Sequence, residues 1–304
     1  MTSRPPEGTI ALGAEDGLRA AFAPAANMVL HSLTLGGREL LAQRNGLEAY
    51  AERGSTMGVP LLHPWANRLA GDRYSVAGTE VELPAGLVKR DPSGLPIHGA
   101  PPGLMRWEVV DSDEGSLFAR LDWDSAHPAF AIFPFPHRLD YAARLSGRTV
   151  EIAVTLTPAG EAPVPVSFGF HPYLRIQATS REAAMLDLPV RRRLVLGESM
   201  IPTGDREPFE PGVRQLGDSD WDDGFADLGS PPQFVLGGGD PEVCLTFLRG
   251  YPFAQVFAPP GSDFVCFEPM TAPTNALVTG GPDLPVAAPG DSYEAAFEIA
   301  ASAQ

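Results

Sequence analysis

The chain lacks most of what would make it disulfide-stapled, membrane-embedded or nucleic-acid-binding. Two cysteines in 304 residues are too few for a disulfide framework. Cys244 and Cys266 stand in the apolar triplets Val243-Cys244-Leu245 and Val265-Cys266-Phe267, which reads as two reduced thiols in strand cores. Positive charge is scarce: 22 Lys and Arg face 38 Asp and Glu, a formal net charge of −16. Such a chain repels polyanions, so neither nucleic acid nor an anionic membrane is expected as a partner. Phosphorylated sugars are disfavoured for the same reason, unless cations gather locally. No apolar run reaches the ~18 residues of a membrane-spanning helix. The stretch Met1-Thr2-Ser3-Arg4-Pro5-Pro6-Glu7 has no apolar signal core, which implies a cytoplasmic protein. There is no Gly-rich phosphate loop, nucleophile elbow or dinucleotide fingerprint, so no cofactor is expected. The six histidines, His31, His63, His98, His127, His137 and His171, never fall at the close spacing of metal ligands, and no metal site is expected.

Punctuation, by contrast, is abundant. Glycine and proline number 32 each, together about a fifth of the chain, against an average of about 12%. That many turn-formers favours short elements over long helices, and a sustained helical period is hardly seen. Alternation of period two is frequent. Leu117, Ala119, Leu121 and Trp123 alternate with polar neighbours, and so do Tyr293, Ala295, Phe297 and Ile299. Leu139, Tyr141, Ala143 and Leu145 lead through Ser146-Gly147-Arg148 to Val150, Ile152, Val154 and Leu156, the pattern of a β-hairpin. Shorter strands are expected at residues 9–12, 28–35, 75–83, 107–111, 186–196, 234–236, 242–248 and 253–257. The run 129–136 is broken by prolines and reads as a loop or strand edge. The fold class is therefore all-β, a large antiparallel β-sandwich. No linker or repeat appears, so residues 1–304 are expected to form a single domain. Residues 217–239, acidic and Gly-rich, read as a long excursion between strands, and long loops in compact domains are often functional.

Against this background one stretch stands out: Ser167-Phe168-Gly169-Phe170-His171-Pro172-Tyr173-Leu174. Gly169 allows close backbone approach and Pro172 fixes a backbone angle, so His171 is held in a defined direction where a strand at 163–168 runs into a loop. Glu268 is the sole carboxylate of Phe264-Val265-Cys266-Phe267-Glu268-Pro269-Met270. A carboxylate there is costly unless paired, and partial burial would raise its pKa toward that of a general base. His98 is isolated in Ile97-His98-Gly99, and Arg68 follows Asn67 in Trp65-Ala66-Asn67-Arg68-Leu69-Ala70-Gly71-Asp72-Arg73-Tyr74. The five fixed donors of Arg68 suit sugar hydroxyls or a carboxylate partner. Asp222 and Asp223 lie in Trp221-Asp222-Asp223-Gly224-Phe225.

Taken in order, the segments around Asn67-Arg68, His98, His171, Asp222 and Phe267-Glu268-Pro269-Met270-Thr271-Ala272-Pro273-Thr274-Asn275 resemble the aldose 1-epimerase (mutarotase) family. The resemblance implies a β-sandwich with a sugar cleft and an isomerase that interconverts the α and β anomers of a free aldose, its small-molecule partner. It implies that His171 is the general acid on the ring oxygen and Glu268 the general base on the anomeric hydroxyl. Arg68, His98, Asp222 and Asn67 would bind the sugar, with the Asp-x-x-Phe spacing favouring Asp222 over Asp223. No cofactor is implied, since no electron or group leaves the sugar. A monomer or homodimer is expected. Phe170 stands where many members have Asn, and Met270 where Gln is frequent; both departures are expected to border the cleft and bear on substrate choice. The scarcity of cations predicts neutral aldoses over their 6-phosphates, since only Arg68, Arg73 and Arg175 lie near the motifs. The competing functions are a hexose-6-phosphate 1-epimerase, a glycoside hydrolase pairing Asp222 with Glu268, and a sugar-binding protein without catalysis.

Overall fold

The computed structural model describes residues 8–13 and 17–302; the expectation about residues 1–7 lies outside them. Two large antiparallel sheets dominate. The first has nine strands in the order Gly212–Gln215, Met185–Leu188, Gln233–Gly237, Glu242–Arg249, Tyr293–Ser302, Thr149–Pro158, His137–Ser146, Ser116–Trp123 and Glu108–Ser112. The expected hairpin is its centre: His137–Ser146 and Thr149–Pro158 pair in continuous register from His137↔Pro158 to Ser146↔Thr149. Gly147 adopts φ 58° at the turn, a conformation glycine takes without a Cβ penalty.

The second sheet has eight strands. Its order is Pro202–Pro208, Val190–Leu196, Trp221–Leu228, Phe253–Ala258, Phe264–Met270, Gly169–Phe170 and Leu61–Leu62, with Tyr173–Arg175 also on Phe264–Met270. Aromatic side chains from the two sheets meet in the core. Phe170 packs on Phe297 with ring centroids 4.9 Å apart, and on Tyr141. A smaller sheet, Ile10–Leu12, Leu18–Ala23, Val29–Leu35 and Arg38–Glu39, completes the amino-terminal part. Helices are few among the described residues, the longest being Gly46–Arg53. Among the described residues no helix is long and apolar enough to cross a membrane.

Several expected elements divide or shift. Residues 75–83 belong to a tight hairpin, Arg73–Val76 with Thr79–Glu82, because Ala77-Gly78 adopts positive φ and turns the chain. Residues 186–196 form two strands in different sheets, Met185–Leu188 and Val190–Leu196. Pro189, with no N–H to continue a ladder, marks the break. Only Val164–Pro165 of the expected 163–168 strand is extended pairing, and 129–136 contains a short 3-10 helix, Phe130–Ile132. The stretch 217–239 is not an excursion: it holds the strands Trp221–Leu228 and Gln233–Gly237. The strands Pro202–Pro208 and Gly212–Gln215 had no clear alternation to announce them, since most of their residues face solvent.

Candidate active site

Strand Phe264–Met270 is buried along its whole length, and Glu268 lies within it with only 2% of its surface exposed. The turn that carries His171 is built beside it. Gly169 pairs with both Met270 and Leu62, and a Cβ on Gly169 would meet the Pro269 carbonyl oxygen at 2.7 Å. Glycine is therefore required for the close approach of these backbones. His171, 5% exposed, donates its backbone N–H to the Pro60 carbonyl at 3.1 Å. Its Nε2 reaches Glu268 Oε1 at 3.3 Å and the Tyr173 hydroxyl at 3.2 Å. Its ring stacks on Tyr173 with centroids 4.4 Å apart and meets His98 edge-on at 5.5 Å. Nδ1 is buried with no protein partner.

Asn67 and His98 both adopt positive φ, 57° and 66°, an uncommon conformation for residues with a Cβ. The strain is offset by cross-links between their loops: His98 N–H donates to Asn67 C=O at 3.0 Å, and Leu69 N–H to Pro96 C=O at 2.9 Å. Arg68 is held on three sides. Its Nε donates to Asp91 Oδ2 at 2.7 Å, its Nη1 to Asn67 Oδ1 at 3.1 Å, and its Nη2 faces Asp222 Oδ2 at 3.6 Å. Asp222 is fixed from the other side by Gln255, whose Nε2 donates to Oδ1 at 2.7 Å. Gln255 and Glu268 are register partners on neighbouring strands. His171, Glu268, Arg68, His98, Asp222 and Asn67 thus belong to one connected array. Asp223, the neighbouring candidate, turns to Arg193 instead at 3.5 Å, as alternation along a strand requires.

Electrostatics follow from burial. Desolvation pushes Glu268 well above the ordinary carboxylate range, the Asp222 charge pushes it further, and Arg68 opposes both. Burial pushes His171 well below the usual histidine value, helped by His98, Arg44 and Lys89. His98 falls to about 3, through burial first and then Lys89 and Arg68. Opposite shifts within a contact of 3.3 Å favour the uncharged forms, a carboxylic acid on Glu268 beside a neutral imidazole on His171. A pair of that kind can take a proton from one oxygen and give a proton to another. Among the described residues no three His, Cys, Asp or Glu side chains converge as a metal-ligand set.

Two expectations about neighbouring residues change. Phe170 and Met270 do not border the cleft: Phe170 is 1% exposed, points into the core against Phe297, and Met270 packs with Leu62, Ala66 and Phe253. Sequence reasoning also passed over Asp91, Gln255 and Tyr173. Asp91 and Gln255 lie outside the motifs, and only tertiary pairing brings them to Arg68 and Asp222. Both cysteines are free thiols, Cys266 buried and Cys244 half-buried.

The molecule is thus an all-β sandwich with a buried His–Glu pair beside an Arg–Asp array. The sequence profile described as aldose 1-epimerase matches residues 21–300, and the chain belongs to that family. It is 27% identical over 250 residues to the protein YphB of Escherichia coli (strain K12), covering 76% of this chain and 79% of that one. A galactose mutarotase-like protein from Clostridium acetobutylicum superposes with a TM-score of 0.83 at 14% identity, covering 97% of this chain and 95% of that one. A putative aldose 1-epimerase from Escherichia coli K12 gives 0.77 at 19% identity, covering 98% and 100%.

Proposed function

We propose that the protein is a mutarotase, an aldose 1-epimerase that opens and recloses the pyranose ring of a free aldose by general acid–base chemistry, within one domain. The observation that carries this reading is the 3.3 Å contact between His171 Nε2 and Glu268 Oε1, with Arg68 and Asp222 beside it. Glu268 removes the proton of the anomeric hydroxyl, the bond between the anomeric carbon and the ring oxygen breaks, and His171 protonates that oxygen. The product is the open-chain aldehyde. Both shifts favour the proton on Glu268 in the free protein. The reacting carboxylate and imidazolium therefore arise by transfer of that proton to His171 across the 3.3 Å contact, and the reaction returns the pair to carboxylic acid and neutral imidazole with its single proton conserved. Rotation about the C1–C2 bond exposes the other face of the carbonyl, and the reverse transfers close the ring to the other anomer. Arg68, His98, Asp222 and Asn67 hold the hydroxyls, and Arg68 favours the carboxylate form of Glu268 when a sugar is bound. Each positioned proton-transfer group contributes about 10²–10⁴ in rate. Polarimetry of freshly dissolved α-glucose and α-galactose tests the reading. Anomer interconversion should accelerate without added metal or nucleotide; a rate equal to that of buffer alone for every aldose tried would contradict it.

A further inference from the structure

His171 has one nitrogen available for chemistry, because Nδ1 is buried without a partner while Nε2 faces Glu268 Oε1 at 3.3 Å. The direction in which Nε2 points therefore depends on the plane of the ring. Tyr173 sets that plane. The two rings stack with centroids 4.4 Å apart and planes within 6° of each other. Near-parallel planes place the Tyr173 hydroxyl, 3.2 Å from Nε2, over the face of the imidazole. The proton or lone pair of an imidazole nitrogen lies in the ring plane instead. Tyr173 thus fixes the ring without taking the in-plane direction along which Nε2 gains and gives its proton. Phe257 and His98 meet the ring nearly at right angles, at 5.8 and 5.5 Å.

Tyr173 is itself held at more points than its burial requires. Its backbone N–H donates to the Gly58 carbonyl at 2.7 Å, and its carbonyl accepts the Ala42 N–H at 2.8 Å. Its hydroxyl lies 2.7 Å from Thr56 Oγ1 and accepts Arg44 Nη1 at 2.9 Å. Arg44 also lies over the Tyr173 ring, 4.8 Å from its centroid, and donates to the Thr56 carbonyl at 3.0 Å. A single partner would satisfy a buried tyrosine hydroxyl; here a cation and a second hydroxyl converge on it. Arg44 does so from φ 44°, a conformation uncommon for a residue with a Cβ and kept where the surroundings over-determine it. Arg44 and Thr56 flank the helix Gly46–Arg53, so the contact reaches the acid from outside both large sheets. We propose that Tyr173 is a positioning residue of the acid–base reaction: its ring sets the plane of His171, and Arg44 and Thr56 lock that ring through its hydroxyl. The proposal rests on the reading of the cleft as an epimerase site. It adds the group that holds the acid at the angle where one nitrogen can meet both Glu268 and the ring oxygen of the sugar.

Thr56→Val and Tyr173→Phe each remove one hydroxyl with little change of shape and leave the stacked rings in place. Polarimetry of freshly dissolved α-glucose and α-galactose should show kcat lowered about ten-fold in each, within the ~10²-fold that a misplacement of about 1 Å costs, with KM little changed. The double variant should lose no more than Tyr173→Phe alone, since both cut the same hydrogen bond. Thr56→Ser, which keeps the hydroxyl, should recover most of the rate. A wild-type kcat in both single variants would overturn the proposal, and so would a loss that Thr56→Ser fails to recover or that a rise in KM matches. The ring protons of His171 in a histidine-selective NMR spectrum, assigned by their loss in His171→Asn, read the stack without turnover. They should carry the upfield ring-current displacement of a stacked aromatic and lose part of it in Thr56→Val and Tyr173→Phe. Displacement lost in this way by a protein that anomerises no sugar would leave the lock on His171 standing and remove the epimerase reading alone. His171 signals unchanged in both variants would overturn the lock.

Discussion

Arg68 illustrates what one charged side chain needs before it can meet a sugar. A free guanidinium would lose about 2 kcal/mol of rotamer entropy on being ordered, but Arg68 is ordered already. Asp91 does this, with Oδ1 accepting the backbone N–H groups of Ser93 and Leu95 at 2.9 Å each and Oδ2 accepting Arg68 Nε at 2.7 Å. Burial pushes the Asp91 carboxyl up, but Arg68 and the two amides outweigh it and hold the pKa below the ordinary range. Gln255 does the same for Asp222. Removing the charge of Asp91 should therefore act on binding more than on chemistry. In Asp91→Asn we expect KM to rise about ten-fold while kcat changes less. A steady-state comparison that finds KM unchanged would show that Arg68 positions itself.

At the scale of elements, the site depends on two crossing loops that only glycine can bring together. Gly99 has φ 68°, and a Cβ there would meet the His63 carbonyl oxygen at 2.3 Å. The Gly99→Ala variant pays for both the left-handed conformation and the clash, so a loss of about 2 kcal/mol or more is expected. A melting temperature within 1 °C or so of the wild type would contradict this. Much at this scale was legible in the chain. The hairpin 137–158 followed from alternation and Ser146-Gly147-Arg148, because the inward residues Leu139, Tyr141, Ala143, Val150, Ile152, Val154 and Leu156 are apolar and share one face, with the buried His137 the polar exception. The six candidate residues stand in the chain as polar groups in apolar or Gly-rich segments, and the fold brings them into one array. What was hidden was tertiary: Asp222 was assigned to a loop because Trp221–Leu228 carries acids on the face that meets the cleft. The inward turn of Phe170 followed from its register beside His171, which no local pattern announces.

Seen whole, the molecule buries an unusual number of neutral imidazoles. His63 and His137 lie in the core with their Nε2 atoms 3.0 Å apart, and His171 and His98 are enclosed at the cleft. Burial lowers all four, His137 to about 4 and His98 to about 3. In the unfolded chain a histidine titrates near 6.5, so the unfolded state binds more protons below about pH 6.5. The stability these groups contribute is present above that value and is lost as pH falls toward about 4 for His137 and about 3 for His98. Glu268, Glu39 and Asp223 are raised, so they work in the opposite sense, gaining as pH falls, while His31 and His127 are lowered too and add to the histidine side. Thermal melts should show a midpoint roughly 5–10 °C lower at pH 5 than at pH 7. A flat or rising midpoint over that range would mean the histidines are not buried in neutral form.

In the proposed reaction Glu268 and His171 exchange one proton with the two oxygens of the anomeric centre. Glu268→Gln preserves shape and hydrogen-bonding capacity but cannot take the proton. Polarimetry of a fresh α-aldose with this variant, alongside calorimetric sugar binding, is the most direct measurement. In this variant kcat should fall by about 10²–10⁴ with sugar affinity little changed. A variant that anomerises sugar at near the wild-type rate would contradict it.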